Sequence, residues 1–171
     1  VIDQVAKKIT ARLPFRGDEN QYLSNNRHVA LKVLDGQCNK LKNDEESRRI
    51  ILKAFKKLTD NGFAVKFDDL TEDEKRMIES KPLQHYLPWR AVHKLSISTP
   101  CRAVFDASSK CPVTQDGRGG RCLNDVTMKG VISTLDLMQM LLRFCIGRVA
   151  VTGDLRMFYT SINLVPDQWH L

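Results

Sequence analysis

The residue type and placement that could do chemistry stand out most clearly at Asp154. Val149-Ala150-Val151-Thr152-Gly153-Asp154-Leu155 reads as a short buried strand that delivers a carboxylate at its C-terminal edge. Such an aspartate can help hold Mg²⁺, which takes hard oxygen ligands, usually one or two protein carboxylates with waters and substrate phosphates. It can equally cap the next turn, and the local pattern leaves both readings open. The basic residues point to a second chemistry. The chain carries 27 Lys and Arg against 20 Asp and Glu, a formal net charge of +7, and residues 81–171 hold 11 bases against 6 acids. Seven of those 11 are Arg, whose planar guanidinium suits phosphate. This half fits a polyanion better than the first half does, although charge alone also fits a merely soluble basic surface. The five cysteines, Cys38, Cys101, Cys111, Cys122 and Cys145, are odd in number, contain no CxxC pair and are widely spaced. They match no zinc module and no secreted disulfide scaffold, and read as reduced thiols of an intracellular protein.

Composition sets the frame in which such residues must be held. The chain has 171 residues, 42% hydrophobic and 27% charged, which is globular composition and excludes a wholly disordered chain. No apolar run approaches the ~20 residues a membrane span needs. The best, Leu135 to Ile146, contains Asp136 and Arg143. The chain opens on Val1, so its natural start is expected elsewhere, and no signal peptide is visible.

The elements that would position these residues fall into two zones. Residues 1–25 read as loop-rich. A helix is expected from a cap at Asn25 or Asn26, with Val29, Val33, Leu34, Gln37 and Leu41 at helical spacing. A second should open at Asn43-Asp44-Glu45-Glu46, carry the stripe Ile51, Phe55 and Leu58, and stop at Asn61-Gly62. Thr71-Glu72-Asp73-Glu74 reads as the capping box of a third. Beyond Pro82 the character changes. Ala91 to Leu95 and Arg102 to Asp106 read as a β-hairpin around a turn at 96–100, with Lys94 and Arg102 near facing ends. Lys110 to Arg121 reads as a mobile, Gly-rich basic loop. A fourth helix, capped by Ser133 or Thr134, would place Leu135, Met138, Leu142 and Cys145 on one side with its methionines as core filler, and end at Gly147. The strand to Asp154 follows. The expected class is therefore α+β. A loop-rich segment (1–25) precedes helices and a hairpin (26–147), and a strand with the start of a further helix follows (148–171).

Four blocks in the second zone carry a resemblance. They are Tyr86-Leu87-Pro88-Trp89-Arg90-Ala91-Val92-His93-Lys94, Arg102-Ala103-Val104-Phe105-Asp106-Ala107-Ser108, Leu123-Asn124-Asp125, and Thr152-Gly153-Asp154 through Tyr159. In this order they resemble the fingers and early palm of reverse transcriptases from long-terminal-repeat retrotransposons, most closely the Bel/Pao type. Arg12-Leu13-Pro14-Phe15 resembles the LPF that opens that region. The resemblance implies a fragment of a right-hand polymerase, with helical and hairpin fingers leading into the first palm strand. It implies that Asp154 is the first catalytic carboxylate, a ligand of two Mg²⁺ ions, with the Leu155 carbonyl as a further ligand. Arg102 would lie on the incoming triphosphate, with Lys94 as its companion, and Tyr159 would be the aromatic gate under the sugar. The implied partners are an RNA or DNA template–primer, deoxynucleoside triphosphates and the remainder of a polyprotein, in the cytoplasm and within a virus-like particle.

The sequence also departs from that pattern. Pro100 stands where the family usually has Lys, Leu155-Arg156-Met157-Phe158 replaces a more usual I-E-K-M, the 110–121 loop is long, and Val131 rather than Pro follows Gly130. No Asp-Asp pair follows Asp154, and the only such pair, Asp68-Asp69, lies upstream. These features fit a divergent or decaying copy, and the isolated chain is expected not to polymerise. Two other readings remain at this stage. One is a truncated or co-opted remnant that binds nucleic acid without catalysis. The other is an unrelated intracellular α/β domain whose basic residues serve solubility.

Overall fold

A computed structural model describes residues 2–3, 8–17, 22–93, 101–130, 136–154 and 158–171. They form a small mixed α+β fold with five α-helices and two small sheets among the described residues. No helix among them is long and apolar enough to cross a membrane.

The first zone is helical where local chemistry demands it. Helix α1 (Arg27–Lys40) starts where the Asn25 side chain accepts a hydrogen bond from the Arg27 N–H at 3.0 Å. Helix α2 (Glu45–Asp60) is capped by Asp44, which accepts from the Ser47 N–H at 2.9 Å. Glu45 and Glu46 sit in its positive first turn, and it ends at Asn61 with Gly62 in the left-handed region (φ +67°). Helix α3 (Glu72–Glu79) has the capping box read from the sequence, Thr71 and Glu74 bonding each other reciprocally.

On α1 and α2 lies an antiparallel hairpin of β3 (Trp89–His93) and β4 (Cys101–Phe105), with Ala91 opposite Ala103 and His93 opposite Cys101. Alternation gives the ribbon two faces. Trp89, Ala91, Cys101 and Ala103 turn inward. The ring of Phe55 on α2 meets Trp89 edge-on at 4.7 Å and Phe105 at 6.5 Å.

The main core is built largely by loops. Leu23, Leu83, Cys111, Leu123 and Val126 are buried together, with Leu13, Phe15, Leu87 and Leu171 packed around them. Loop backbone needs partners when buried, and side chains supply them. Asn26, fully buried, accepts from the Tyr86 N–H at 2.7 Å and donates to the Tyr86 carbonyl at 2.8 Å. Gln168 does the same for Leu13, at 2.8 and 3.1 Å. The Cys111 sulfur accepts from the Ser24 N–H at 3.2 Å and donates to the Arg121 carbonyl at 3.0 Å. All five cysteines are free thiols.

Residues 1–25 are not simply loop. Strand β1 (Ile2–Asp3) pairs antiparallel with β2 (Lys8–Ala11), and β2 pairs parallel with β5 (Ile162–Leu164), Ile9 opposite Ile162. A partner 153 positions away leaves no local trace in the sequence. Residues Arg12 and Asp167 close the same junction with an ion pair at 2.8 Å.

The segment around Asp154 corrects the sequence reading most. Helix α5 (Leu137–Phe144) is capped by Asp136, which accepts from the Met138 N–H at 2.9 Å. Residues 131–135, including the expected caps Ser133 and Thr134 and the expected stripe residue Leu135, lie outside the described set. Every residue from 136 to 154 is exposed, so Met138 and Met140 are not core filler. Residues 149–154 form no strand, with Val149 and Val151 81% and 83% exposed. An apolar run becomes a buried strand only where a neighbouring strand accepts its hydrogen bonds, and none of the described strands pairs with it. The described part of 158–171 holds β5 between two 3₁₀ turns, Tyr159–Ser161 and Pro166–Gln168, rather than an α-helix.

The 110–121 stretch is a loop, as expected, and it folds back on itself. Val113 bridges Gly119, and the Thr114 N–H donates to the Arg118 carbonyl at 2.8 Å. Gly119 has φ +88°, and a Cβ there would sit 2.2 Å from the Pro112 carbonyl oxygen and 2.9 Å from the Ser24 hydroxyl. Gly119→Ala is therefore expected to cost at least about 2 kcal/mol. Gly36→Ala, in α1 with nothing within 4 Å of the new methyl, should instead gain about 0.5–1 kcal/mol. Urea unfolding of the two variants checks both signs.

Candidate functional site

The outward face of the β3–β4 hairpin carries Arg90, Val92, Arg102 and Val104, all exposed. Arg102 lies opposite Val92, and Arg90 opposite Val104, so guanidinium and isopropyl groups alternate on a diagonal. The two arginines differ. Arg90 reaches the Asp106 carboxylate at 3.7 Å. Arg102 is exposed and has no acid partner among the described residues.

Hydrogen bonds join three of the four resembling blocks. The Asp106 N–H donates to the Pro88 carbonyl at 2.7 Å, and the Asn124 N–H to the Ala107 carbonyl at 3.1 Å. Asp106 accepts from the Ser108 hydroxyl and from the Ser108 N–H at 3.0 Å. The Ser108 hydroxyl chiefly, with help from the Ser108 N–H and Arg90, holds its carboxyl below the usual range. Asp106 is thus spent on the turn that follows β4. Asp125 is also structural. In the short helix α4 (Leu123–Val126) its carboxylate accepts from the Cys122 N–H at 3.1 Å, which lowers its pKa. Beside it the Arg121 guanidinium lies 4.9 Å from the centre of the Tyr22 ring.

The fourth block stands apart. Asp154 is exposed and outside any strand. Tyr159 opens the 3₁₀ turn Tyr159–Ser161, is 86% exposed, and touches Phe158 edge-on at 5.6 Å; it is not a core tyrosine. Leu155 and Lys94 lie outside the described residues. No hydrogen bond, ion pair or ring contact links Asp154 or Tyr159 to Arg102 among the described residues. No three His, Cys, Asp or Glu side chains converge as a metal site among them. A single exposed carboxylate is a poor magnesium cage, so the donor set described here does not by itself fit the ion. Two surface clefts, about 430 and 460 Å³, open elsewhere, beside Ser24 and Arg118 and beside Arg12 and Gln168 respectively.

One positioning residue escapes a reading by periodicity. Gln37, spaced as a core residue of α1, donates to the Trp89 carbonyl and accepts from the Ala91 N–H at 3.2 Å. It closes the open edge of β3 as a neighbouring strand would. A carboxamide at an apolar position was the available signal.

No protein-family model, curated protein or solved structure matches the chain.

Gln37→Ala leaves a strand N–H and a carbonyl without partners. The expected cost is about 1–3 kcal/mol, with the Ala91 amide losing hydrogen-exchange protection while the helix amides of α2 keep theirs.

Proposed function

We propose that this chain is the fingers and opening palm segment of the RNA-directed DNA polymerase of a Bel/Pao-type retrotransposon polyprotein. In this reading the outer hairpin face meets deoxynucleoside triphosphate and template–primer. The observation that carries the reading is the joining of blocks 86–93, 101–108 and 123–125 into one hydrogen-bonded unit that holds Arg102 outward with no acid partner among the described residues. A guanidinium already neutralised by a carboxylate would have to break that pair before meeting phosphate; Arg102 has no such pair among the described residues. Its planar donors would take two phosphate oxygens at once. Lys94, which follows β3 in the sequence and lies outside the described residues, would add a second cation, and Tyr159 an aromatic face for the sugar. Asp154, with the Leu155 carbonyl, would be this chain's share of the magnesium ligands in the complete polymerase. Nucleotidyl transfer there relies on two such ions held by several carboxylates, and these 171 residues contain no Asp-Asp pair after Asp154. The activity proposed for the chain alone is therefore binding.

A second reading, a co-opted binding module without catalysis, is favoured by the lone, exposed Asp154. Both readings predict affinity for a template–primer duplex that falls linearly on a logarithmic salt scale. Arg102→Ala should weaken it about tenfold and reduce the salt slope by about one, as measured by fluorescence anisotropy. Salt-insensitive or absent binding overturns both. With Mg²⁺ and all four deoxynucleotides the isolated chain should extend no primer. Asp154→Asn separates the readings in a complete polymerase that carries this segment, where loss of synthesis supports the first and an unchanged rate removes it.

A further inference from the structure

Chain segments 22–26, 82–87 and 165–171 meet at a junction that contains two buried imidazoles, His85 and His170, of which His85 is the more deeply buried. His85 is 4% exposed. Its Nδ1 lies 3.3 Å from the Ser24 carbonyl oxygen. A carbonyl oxygen only accepts, so Nδ1 carries the proton and Nε2 the bare lone pair. Nε2 is buried and meets no donor or acceptor among the described residues. The His85 backbone N–H donates to the His170 carbonyl at 2.8 Å, so this residue ties the C-terminal turn to the Ser24 loop. The Gln168 pairing with Leu13 lies in the same turn.

We propose that His85 is a pH latch: protonation at Nε2 releases the C-terminal turn from this junction. The added N–H⁺ would sit in a buried site where Nε2 meets no acceptor and pairs with no carboxylate among the described residues. The titratable and charged groups on or against these segments are Tyr22 with Arg121 on its ring, Cys111, Lys81, Tyr86, His170, the Leu171 carboxylate, the Asp116–Arg118 pair beside Ser24 and Leu83, and the Arg12–Asp167 pair. The Arg12–Asp167 pair is closed on itself at 2.8 Å, and no carboxylate hydrogen-bonds or pairs with the His85 ring among the described residues. Burial accordingly pushes the imidazole below its ordinary value of 6.5, against a smaller opposing effect from the Ser24 carbonyl. Between pH 6.5 and the lower folded value the unfolded chain binds the proton and the folded chain does not, so stability falls as pH falls through that window. Above 6.5 both states are neutral and the latch holds in full. The inference does not depend on the polymerase reading.

Thermal melts of the 171-residue chain between pH 7.5 and 5.5 test it against His85→Asn, which keeps an N–H for the Ser24 carbonyl and does not titrate. The wild type should lose several degrees of Tm across the range. Residues 165–171 should be the first to lose hydrogen-exchange protection, corrected for the intrinsic rate. His85→Asn should flatten the pH slope, while His28→Asn, on the exposed side of α1, should leave it unchanged. A flat wild-type profile, or an equal slope in His85→Asn, overturns the proposal. Should His85→Asn fail to fold, the imidazole titration of the wild type by NMR decides. A midpoint below 6.5 supports the latch, and one at or above 6.5 overturns it.

Discussion

The fold depends on carboxamide side chains that stand in for missing strands. Asn26, Gln37 and Gln168 each offer one donor and one acceptor to backbone that has no ladder partner on that side. A carboxamide is a peptide group on a tether, so it matches both needs at once. The reason such devices matter here is the smallness of the core. Its buried members come mostly from loops, and buried loop backbone left unpaired costs about 1–3 kcal/mol per group. Each of the three residues spans a long sequence distance, 60 positions for Asn26 and 155 for Gln168. They fix which loops lie together, and apolar contacts such as Leu23 with Leu83 fill the space between.

What could be read from the sequence tracks how local the deciding interaction is. Helices α1 to α3 were legible because their caps and periodicity lie within a few residues of each other, and the Thr71–Glu74 box formed as read. The two strands of the hairpin were legible because alternation over a few residues suffices, while the turn expected at 96–100 lies outside the described residues. The sheet of β1, β2 and β5 was not, since Lys8–Ala11 becomes a strand only when Ile162–Leu164 arrives beside it. The reverse error occurred at 149–154, where apolar composition suggested a buried strand but no described strand pairs with it. The contacts of the 110–121 loop were hidden for a third reason. Its glycines read as freedom, yet Gly119 is glycine because the Pro112 carbonyl and Ser24 hydroxyl leave no room for a side chain.

The same distinction divides the candidate site. Arg102 was found through its block, and its setting is local: a strand facing Val92, backed by helices, with the edge of β3 closed by Gln37. Asp106 and Asp125, acids inside resembling blocks, turn out to hold turns and a helix start. Their lowered pKa values follow from hydrogen bonds to Ser108 and Cys122.

Asp154 sits at the opposite extreme of support. A group that must meet a ligand needs its position held to about half an ångström, and packing of the carrying element does this. Arg102 has that backing through the ring of Phe55 against Trp89 and Phe105. Asp154 is reached through α5, whose Leu137, Met138, Leu141, Leu142 and Phe144 stand in solvent. Each such side chain forgoes about 1.5–3 kcal/mol of available burial, and none of that free energy is used to fix where the carboxylate lies. Among the described residues the hairpin that carries Arg102 is packed and the segment that carries Asp154 is not, which is why the activity proposed for these 171 residues alone is binding rather than turnover.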